Sequence, residues 1–471
     1  MTNNYIPSHL LLSGIILWLP SCVATDGRDA QIGAIVIPAR WQHHPVSSKP
    51  LDTASLAMWW KQFHDPVLNE LVEVALGSST DVRTALSRIA EYRARRDVEK
   101  AALFPQLTGN ASGTGARASN RTTHVTTASE SYHASLDASW QVDLFGRQAQ
   151  TLKAASEDLA QNEEKFYGAQ VSLAAEVATA YVALRSAEAE LVVVRRSLGT
   201  RHETVQLTQW REQSGAGSGL DTQQSISAFE QARASIPELQ LTIAQTRNQL
   251  TRLSGRLPAS LDSLLAKPRS VPKARLEIAV GIPAEALRRR PDVRAAEHQV
   301  AAAFARTNAA KRERLPSLSL NGSLGLEALR AGRLFSPETT AASVLGSLAT
   351  PLVDAGRIRN HIAIQSELEK QSVIAYEAIV LTAVSEGENA LIAIQRYNEK
   401  LDILAKAIVA AREAATLSGI QYQAGQVSLL VSLDTQRTLL TLEDQNVIAT
   451  AQRANACIQL YKALGGGWSH P

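Results

Sequence analysis

Three hydrophobic rhythms run along this 471-residue chain, and each predicts a different element. Leu10 to Leu19 form a continuous apolar run broken only by Ser13 and Gly14, inside a stretch, residues 1–21, without Lys, Arg, Asp or Glu. That length suits the hydrophobic region of a signal peptide and is too short to cross a bilayer as a helix. Further on, apolar residues step four, three, four, three through Leu173, Val177, Ala180, Leu184, Ala187, Leu191, Val194 and Leu198. Val373, Tyr376, Val380, Ala383, Gly387, Ala390 and Ile394 do the same, and Phe229, Ala232, Ile236, Leu239 and Ile243 begin a shorter version. A period of 3.5 predicts long helices packed as left-handed coiled coils. Residues 148–213 hold no proline and only Gly168 and Gly199, enough chain for about 100 Å of helix.

The third rhythm has period two. Ala134, Leu136, Ala138, Trp140, Val142 and Leu144 alternate with His133, Ser135, Asp137, Ser139, Gln141 and Asp143; Leu318, Leu320, Leu324 and Leu326 alternate with Ser317, Ser319, Asn321 and Ser323. About ten residues of such alternation is the signature of a membrane β-strand, although a half-buried soluble strand shows it too. Partner strands fall at 106–116 and 342–352, rich in Gly, Ser, Thr and Ala, with polar loops at 117–131 and 327–341. Placement favours the membrane: each strand pair is flanked by long helices, and no segment supplies an opposing apolar layer. A spanning sheet must close on itself, and single-chain barrels begin at about eight strands. Four strands per chain therefore predict an oligomer, and the arithmetic permits a dimer, trimer or tetramer.

The chain is also written twice. Asp81-Val82-Arg83 recurs as Asp292-Val293-Arg294, the Leu103–Leu107 segment as Arg314–Leu318, the Leu144–Arg147 segment as Asp354–Arg357, and the Arg211–Gly215 segment as Gln421–Gly425. Four landmarks in one order, at an offset of about 210 residues, mark a duplication. The expected layout is a signal peptide (1–21), an N-terminal segment (22–80), a first repeat (81–254) of helix, two strands, long helix, turn and helix, a Pro-rich connector (255–291), a second repeat (292–460) and a tail (461–471). Each long helix should reverse at a glycine, Gly215 or Gly425, with Asp221 or Ser428 as N-cap of the returning helix.

Composition mainly excludes. Lys+Arg at 48 against Asp+Glu at 45 gives +3, without the basic stripe of a nucleic-acid binder. Two cysteines exclude a disulfide scaffold. His43-His44 lacks further ligands for a metal, Cys457 reads as a small core residue, and Arg288 to Arg290 as surface charges. No catalytic triad, zinc motif or nucleotide fingerprint is present, so no enzyme and no cofactor is expected. Leu19-Pro20-Ser21-Cys22 resembles a bacterial lipobox, which would make Cys22 an acylated, palmitate-bearing N-terminus tethered to a membrane.

Four segments together carry a family resemblance. They are Trp59 to Leu68, Trp140 to Arg147, Pro283 to Val293, and Leu460 to Trp468. In this order they resemble outer-membrane efflux lipoproteins of the NodT/OprM type, within the TolC superfamily. The resemblance implies a mainly α protein with membrane β-structure: a homotrimer whose 12-stranded β-barrel in the outer membrane continues into a 12-helix periplasmic α-barrel. The N-terminal segment, connector and tail would form an equatorial belt. It also implies a lipid-anchored protein of the Gram-negative outer membrane that reaches into the periplasm. As the exit duct of a tripartite efflux system it would pass small toxic compounds from an inner-membrane pump of the resistance-nodulation-division class, through a periplasmic adaptor. By position, the tips Gly215, Ala216, Gly217, Ser218 and Gly425, Gln426, Val427, Ser428 match the adaptor-docking ends, while Leu430 and Asp434 match the periplasmic constriction. One turn separates that pair, so a leucine ring would block by dewetting and an aspartate ring would favour cations. The rivals are a type I exit channel for polypeptides and a lipid-tethered coiled-coil scaffold without a pore.

Overall fold

The computed structural model describes residues 37–42, 53–120, 125–273 and 283–469, all within one unit, Ile37–Pro471. The expected signal peptide and Cys22 lie outside these residues. The described chain opens with α1 (Thr53–Ala57), a 3-10 turn (Trp59–Phe63) and α2 (Pro66–Ser78). The first half then runs α3 (Thr80–Ala101), β1 (Gln106–Asn120), β2 (Val125–Val142), α4 (Arg147–Gln213) and α5 (Gly219–Leu253). After α6 (Asp262–Leu265) and α7 (Pro283–Arg289), the second half runs α8 (Pro291–Arg312), β3 (Ser317–Ala328), β4 (Thr340–Ala349), α9 (Arg357–Gln423) and α10 (Leu429–Ala463). Corresponding helices have equal lengths: 22 residues in α3 and α8, 67 in α4 and α9, 35 in α5 and α10.

The long helices persist because neighbours cover them along their length, as isolated helices in water could not. Near the sheet the order across the layer is α3, α4, α8, α9; toward the turns it is α5, α4, α10, α9. Val177 and Leu184 of the stepped seam are fully buried, while Leu198 is half-buried. Border helix α9 leaves Ile364, Leu381, Ile403, Val409 and Ile420 exposed.

The densest core lies at mid-length of α4, where α2, the 3-10 turn and the ends of α5 and α10 converge. Trp59 stacks on Tyr461 with centroids 5.4 Å apart. Asp65 caps α2 by accepting from the Val67 and Leu68 amides at 2.9 and 3.4 Å, and Tyr181 donates to its other oxygen at 2.7 Å. The duplication is visible here in atomic detail. Gly255 and Gly465 end α5 and α10 at φ 63° and 70°, the left-handed region that favours glycine. A Cβ on Gly255 would sit 2.4 Å from the Ser78 carbonyl oxygen, and one on Gly465 3.0 Å from that of Arg289. Arg290 departs from expectation: it is buried, not a surface charge, and pairs with Asp292 at 2.7 Å and Glu386 at 2.8 Å. Carboxylates on both sides make burial of its charge tolerable. Cys457 is buried in the core, and burial pushes its thiol up to about 11.

The four strands form one antiparallel sheet in the order β1-β2-β3-β4. The strands run further than expected. The predicted 117–131 loop is largely strand, because continuous pairing from Gln106–Ser139 to Asn120–Val125 overrides the weak β-propensity of its Ser, Thr and Ala residues. β4 is the exception: it covers 340–349 instead of 342–352, starting two residues earlier and ending three earlier. Register sorts the two faces. One carries Leu107 opposite Ala138, Leu136 opposite Leu324, Trp140 opposite Leu320, Val142 opposite Leu318, and Leu318 opposite Leu348. The other carries Asp137 opposite Ser323 and Ser139 opposite Asn321, with Leu345 as a large apolar exception beside small alanines such as Ala341 and Ala349. On that polar face Asp137 accepts from Asn110 at 2.6 Å and from Ser135 at 2.8 Å. The apolar face is uncovered: Val344 is 89% exposed and Leu348 67%. Among the described residues β1 and β4 each have one strand neighbour, so both sheet edges are open. No described helix is long and apolar enough to cross a membrane.

Candidate functional site

Both long helices begin where a carboxylate caps the strand-to-helix junction. Asp143 accepts from the Gln148 and Ala149 amides at 3.1 and 2.8 Å. Asp354 accepts from the Gly356 and Ile358 amides at 3.0 and 2.8 Å, and these backbone donors hold its carboxyl below the usual range.

At the far end the helices reverse through matched turns. In the first, Gly215 takes φ 74° and the Ala216 and Gly217 amides both donate to the Arg211 carbonyl, at 2.8 and 2.9 Å. A Cβ on Gly217 would approach the Arg211 Cβ to 2.9 Å, so close chain approach explains that glycine. Ser218, not Asp221, is the N-cap: its hydroxyl accepts from the Asp221 amide at 3.2 Å. In the second turn Gly425 takes φ 72° and the Gln426 amide donates to Gln421 at 2.9 Å. Ser428 is the N-cap by backbone geometry but makes no side-chain cap bond. Val427 completes this tip.

The two tips are joined by a contact that the sequence does not advertise. The Arg211 guanidinium donates to the Tyr422 carbonyl at 2.8 Å and lies over its ring, 5.1 Å from the centroid. Each hairpin is also pinned internally by a hydroxyl pair at repeat-equivalent places, Thr208 with Ser225 at 2.8 Å and Ser418 with Thr435 at 2.6 Å.

Beyond the second tip, Leu430 and Asp434 line a groove of about 1100 Å³ between α4, α5 and α10. Leu430 is 61% exposed. Asp434 is not a bare charge: Arg437, one turn on, donates to it at 2.7 Å. The pair is exposed, so it contributes little stability, but it offsets part of the negative charge that Asp434 alone would present. Sequence reasoning missed Asp444 in the same groove. The available signal was the adjacent Glu443-Asp444 in a helix otherwise dominated there by Leu, Thr, Val and Ile.

Comparison with known proteins places this geometry. Residues 71–256 and 282–466, the two halves, each match the outer membrane efflux protein family. The antibiotic efflux pump outer membrane protein ArpC and the toluene efflux pump outer membrane protein TtgC, both from Pseudomonas putida, are 31% identical over 448 residues, covering 93% of this chain and 92% of theirs. The solved structure of the outer-membrane channel OprN superposes with a TM-score of 0.86 at 33% identity, over 92% of this chain and 97% of that one. The chain therefore belongs to the outer membrane efflux protein family, whose members are transport ducts and not enzymes.

Proposed function

We propose that this protein is the outer-membrane duct of a tripartite efflux system, built from three copies of the chain. One observation carries the reading: a sheet with a register-aligned, uncovered apolar face and two open edges grows directly into a single layer of long helices. Open edges are inadmissible in lipid, so the sheet must close with other copies. Two copies would give eight strands, a barrel that side chains fill; three give twelve and leave a conduit. The same operation would close four helices per chain into a 12-helix tube. Exposed apolar residues on border helix α9 support contact with the next copy.

In this reading Cys22 carries the lipid anchor, and the tips at Gly215 to Ser218 and Gly425 to Ser428 receive a periplasmic adaptor. Leu430 and Asp434 narrow the periplasmic end, where a resistance-nodulation-division pump delivers cargo. The cargo is small toxic molecules, in keeping with relatives named for antibiotic and toluene efflux.

Conductance in planar bilayers tests this assignment. The mature protein is expected to conduct weakly, and Leu430→Ala with Asp434→Ala to raise single-channel conductance several-fold by widening the constriction and removing its apolar barrier. A double variant that conducts like the parent refutes the constriction assignment. Absence of conductance in every form would favour a scaffold.

A further inference from the structure

Near mid-length, the stepped seam of α9 is filled by something other than a helix. Val380, Ala383, Gly387 and Ala390 are buried along it. Gly387 leaves a notch in that row, and Trp41 occupies it. A Cβ on Gly387 would sit 2.6 Å from two outer ring carbons of Trp41, Cη2 and Cζ3, so only glycine admits the indole in this position. Trp41 is 7% exposed and belongs to the main core, which also holds Ala390 and Leu391 of α9. Among residues 37–42 it alone is buried. Its indole N–H has no hydrogen-bond partner, so shape and apolar contact hold the ring. The next residue adds a polar stitch: the Gln42 amide donates to the Glu388 carboxylate at 2.7 Å. Three successive residues of α9 therefore hold what surrounds it. Glu386 pairs with Arg290 at 2.8 Å, Gly387 takes Trp41, and Glu388 takes Gln42.

We infer that residues 37–42 are a strap, with Trp41 in the Gly387 notch as the anchor that fastens the N-terminal arm to α9. A single large aromatic ring carries nearly all the apolar contact of this segment, so the arm is held when the indole is seated and released when it is not. The seat lies about 45 Å along α9 from its sheet-side end at Arg357. The chain from Cys22 to Trp41 can span at most about 65 Å. A lipid on Cys22 would then pull on α9 at a fixed point, not on a loose tail. That consequence rests on the lipid-anchor reading above, whereas the seat itself does not.

Hydrogen exchange of the mature protein in detergent tests the strap, read on the peptide that carries the Gln42 amide. In the parent this amide should be protected. Trp41→Ala and Gly387→Ala should each speed its exchange about tenfold or more and leave the middle of α4 unchanged, because only a local opening is affected. Alanine at 387 would by itself favour the helix, so a loosened arm cannot be put down to a weakened α9. The decisive comparison adds Gly387→Ala to Trp41→Leu. Leucine ends short of the Cη2 and Cζ3 positions, so the added methyl should fill vacated space and slow exchange, reversing its effect in the parent. If Gly387→Ala leaves the parent arm protected, or fails to slow exchange beside Leu at 41, the strap is overturned. Intact mass of the mature chain reports the lipid separately. An unacylated chain with a protected arm would refute the Cys22 reading and still support the strap.

Discussion

Leu324→Arg is expected to abolish assembly of the protein in the outer membrane. Leu324 stands near the middle of β3, opposite Leu136 of β2 and Ala342 of β4, on the uncovered apolar face. An arginine at the lipid midplane costs about 2–4 kcal/mol, and closure by three copies repeats it, for ~6–12 kcal/mol per assembly. That is comparable to the whole stability of an ordinary domain. Asn321→Arg, three residues away on the polar face, is the matched control and should assemble, because its charge would face water. Outer-membrane fractionation followed by unheated gel electrophoresis reads both variants. Equal yields would mean that the two faces do not meet different solvents.

Gly255→Val should be the most damaging change in the helical part, and Gly199→Ala should have the opposite sign. At Gly255 a Cβ meets the Ser78 carbonyl oxygen at 2.4 Å, and the residue also takes φ 63°. Strain of a non-glycine residue there costs about 1–3 kcal/mol, and overpacking adds about 1–3 kcal/mol. The Ser78 hydroxyl, which donates to the Ser254 carbonyl at 2.7 Å, would be displaced as well. Gly199 lies inside α4, exposed, with no atom within 4 Å of the place a methyl group would take. Alanine there gains up to about 1 kcal/mol of helix propensity. Thermal melting of the two purified variants checks both signs. A tolerated Gly255→Val would mean that the α5 end and the α2–α3 corner are not packed as described.

Much of this architecture is legible without coordinates, for identifiable reasons. The 3.5-residue step at Leu173 to Leu198 survives because a helix needing partners along about 100 Å can tolerate few polar intrusions. β2 and β3 alternate cleanly because water and lipid would face opposite sides of one strand. β1 and β4 are harder to read, since Gly109, Ala111, Gly113, Ala342 and Gly346 occupy the apolar face with residues that carry little hydrophobic signal. The strand ends at 117–131 are hidden for the same reason: ladder pairing, not side-chain type, sets them.

The candidate site is less legible. Gly215 and Gly425 announce turns by residue type, but the N-cap falls at Ser218 instead of Asp221 because several capping-competent residues compete within a single turn. Arg211 and Tyr422 meet across 211 residues of chain, and only the fold brings them together. Asp434 can be placed by resemblance, whereas its partner Arg437 emerges only when helical spacing is applied to the charges beside it. Asp444 reads as one more helix-surface acid until burial and Glu190 are seen around it.

The account depends on closure of an open sheet by identical copies, and subunit stoichiometry tests that most directly. Native mass spectrometry of the mature protein, released from detergent micelles, should give a single species containing three chains. A folded monomer that stays soluble after the detergent is removed would contradict it, because the apolar face of β1 to β4 would then have no lipid to meet and no barrel to belong to.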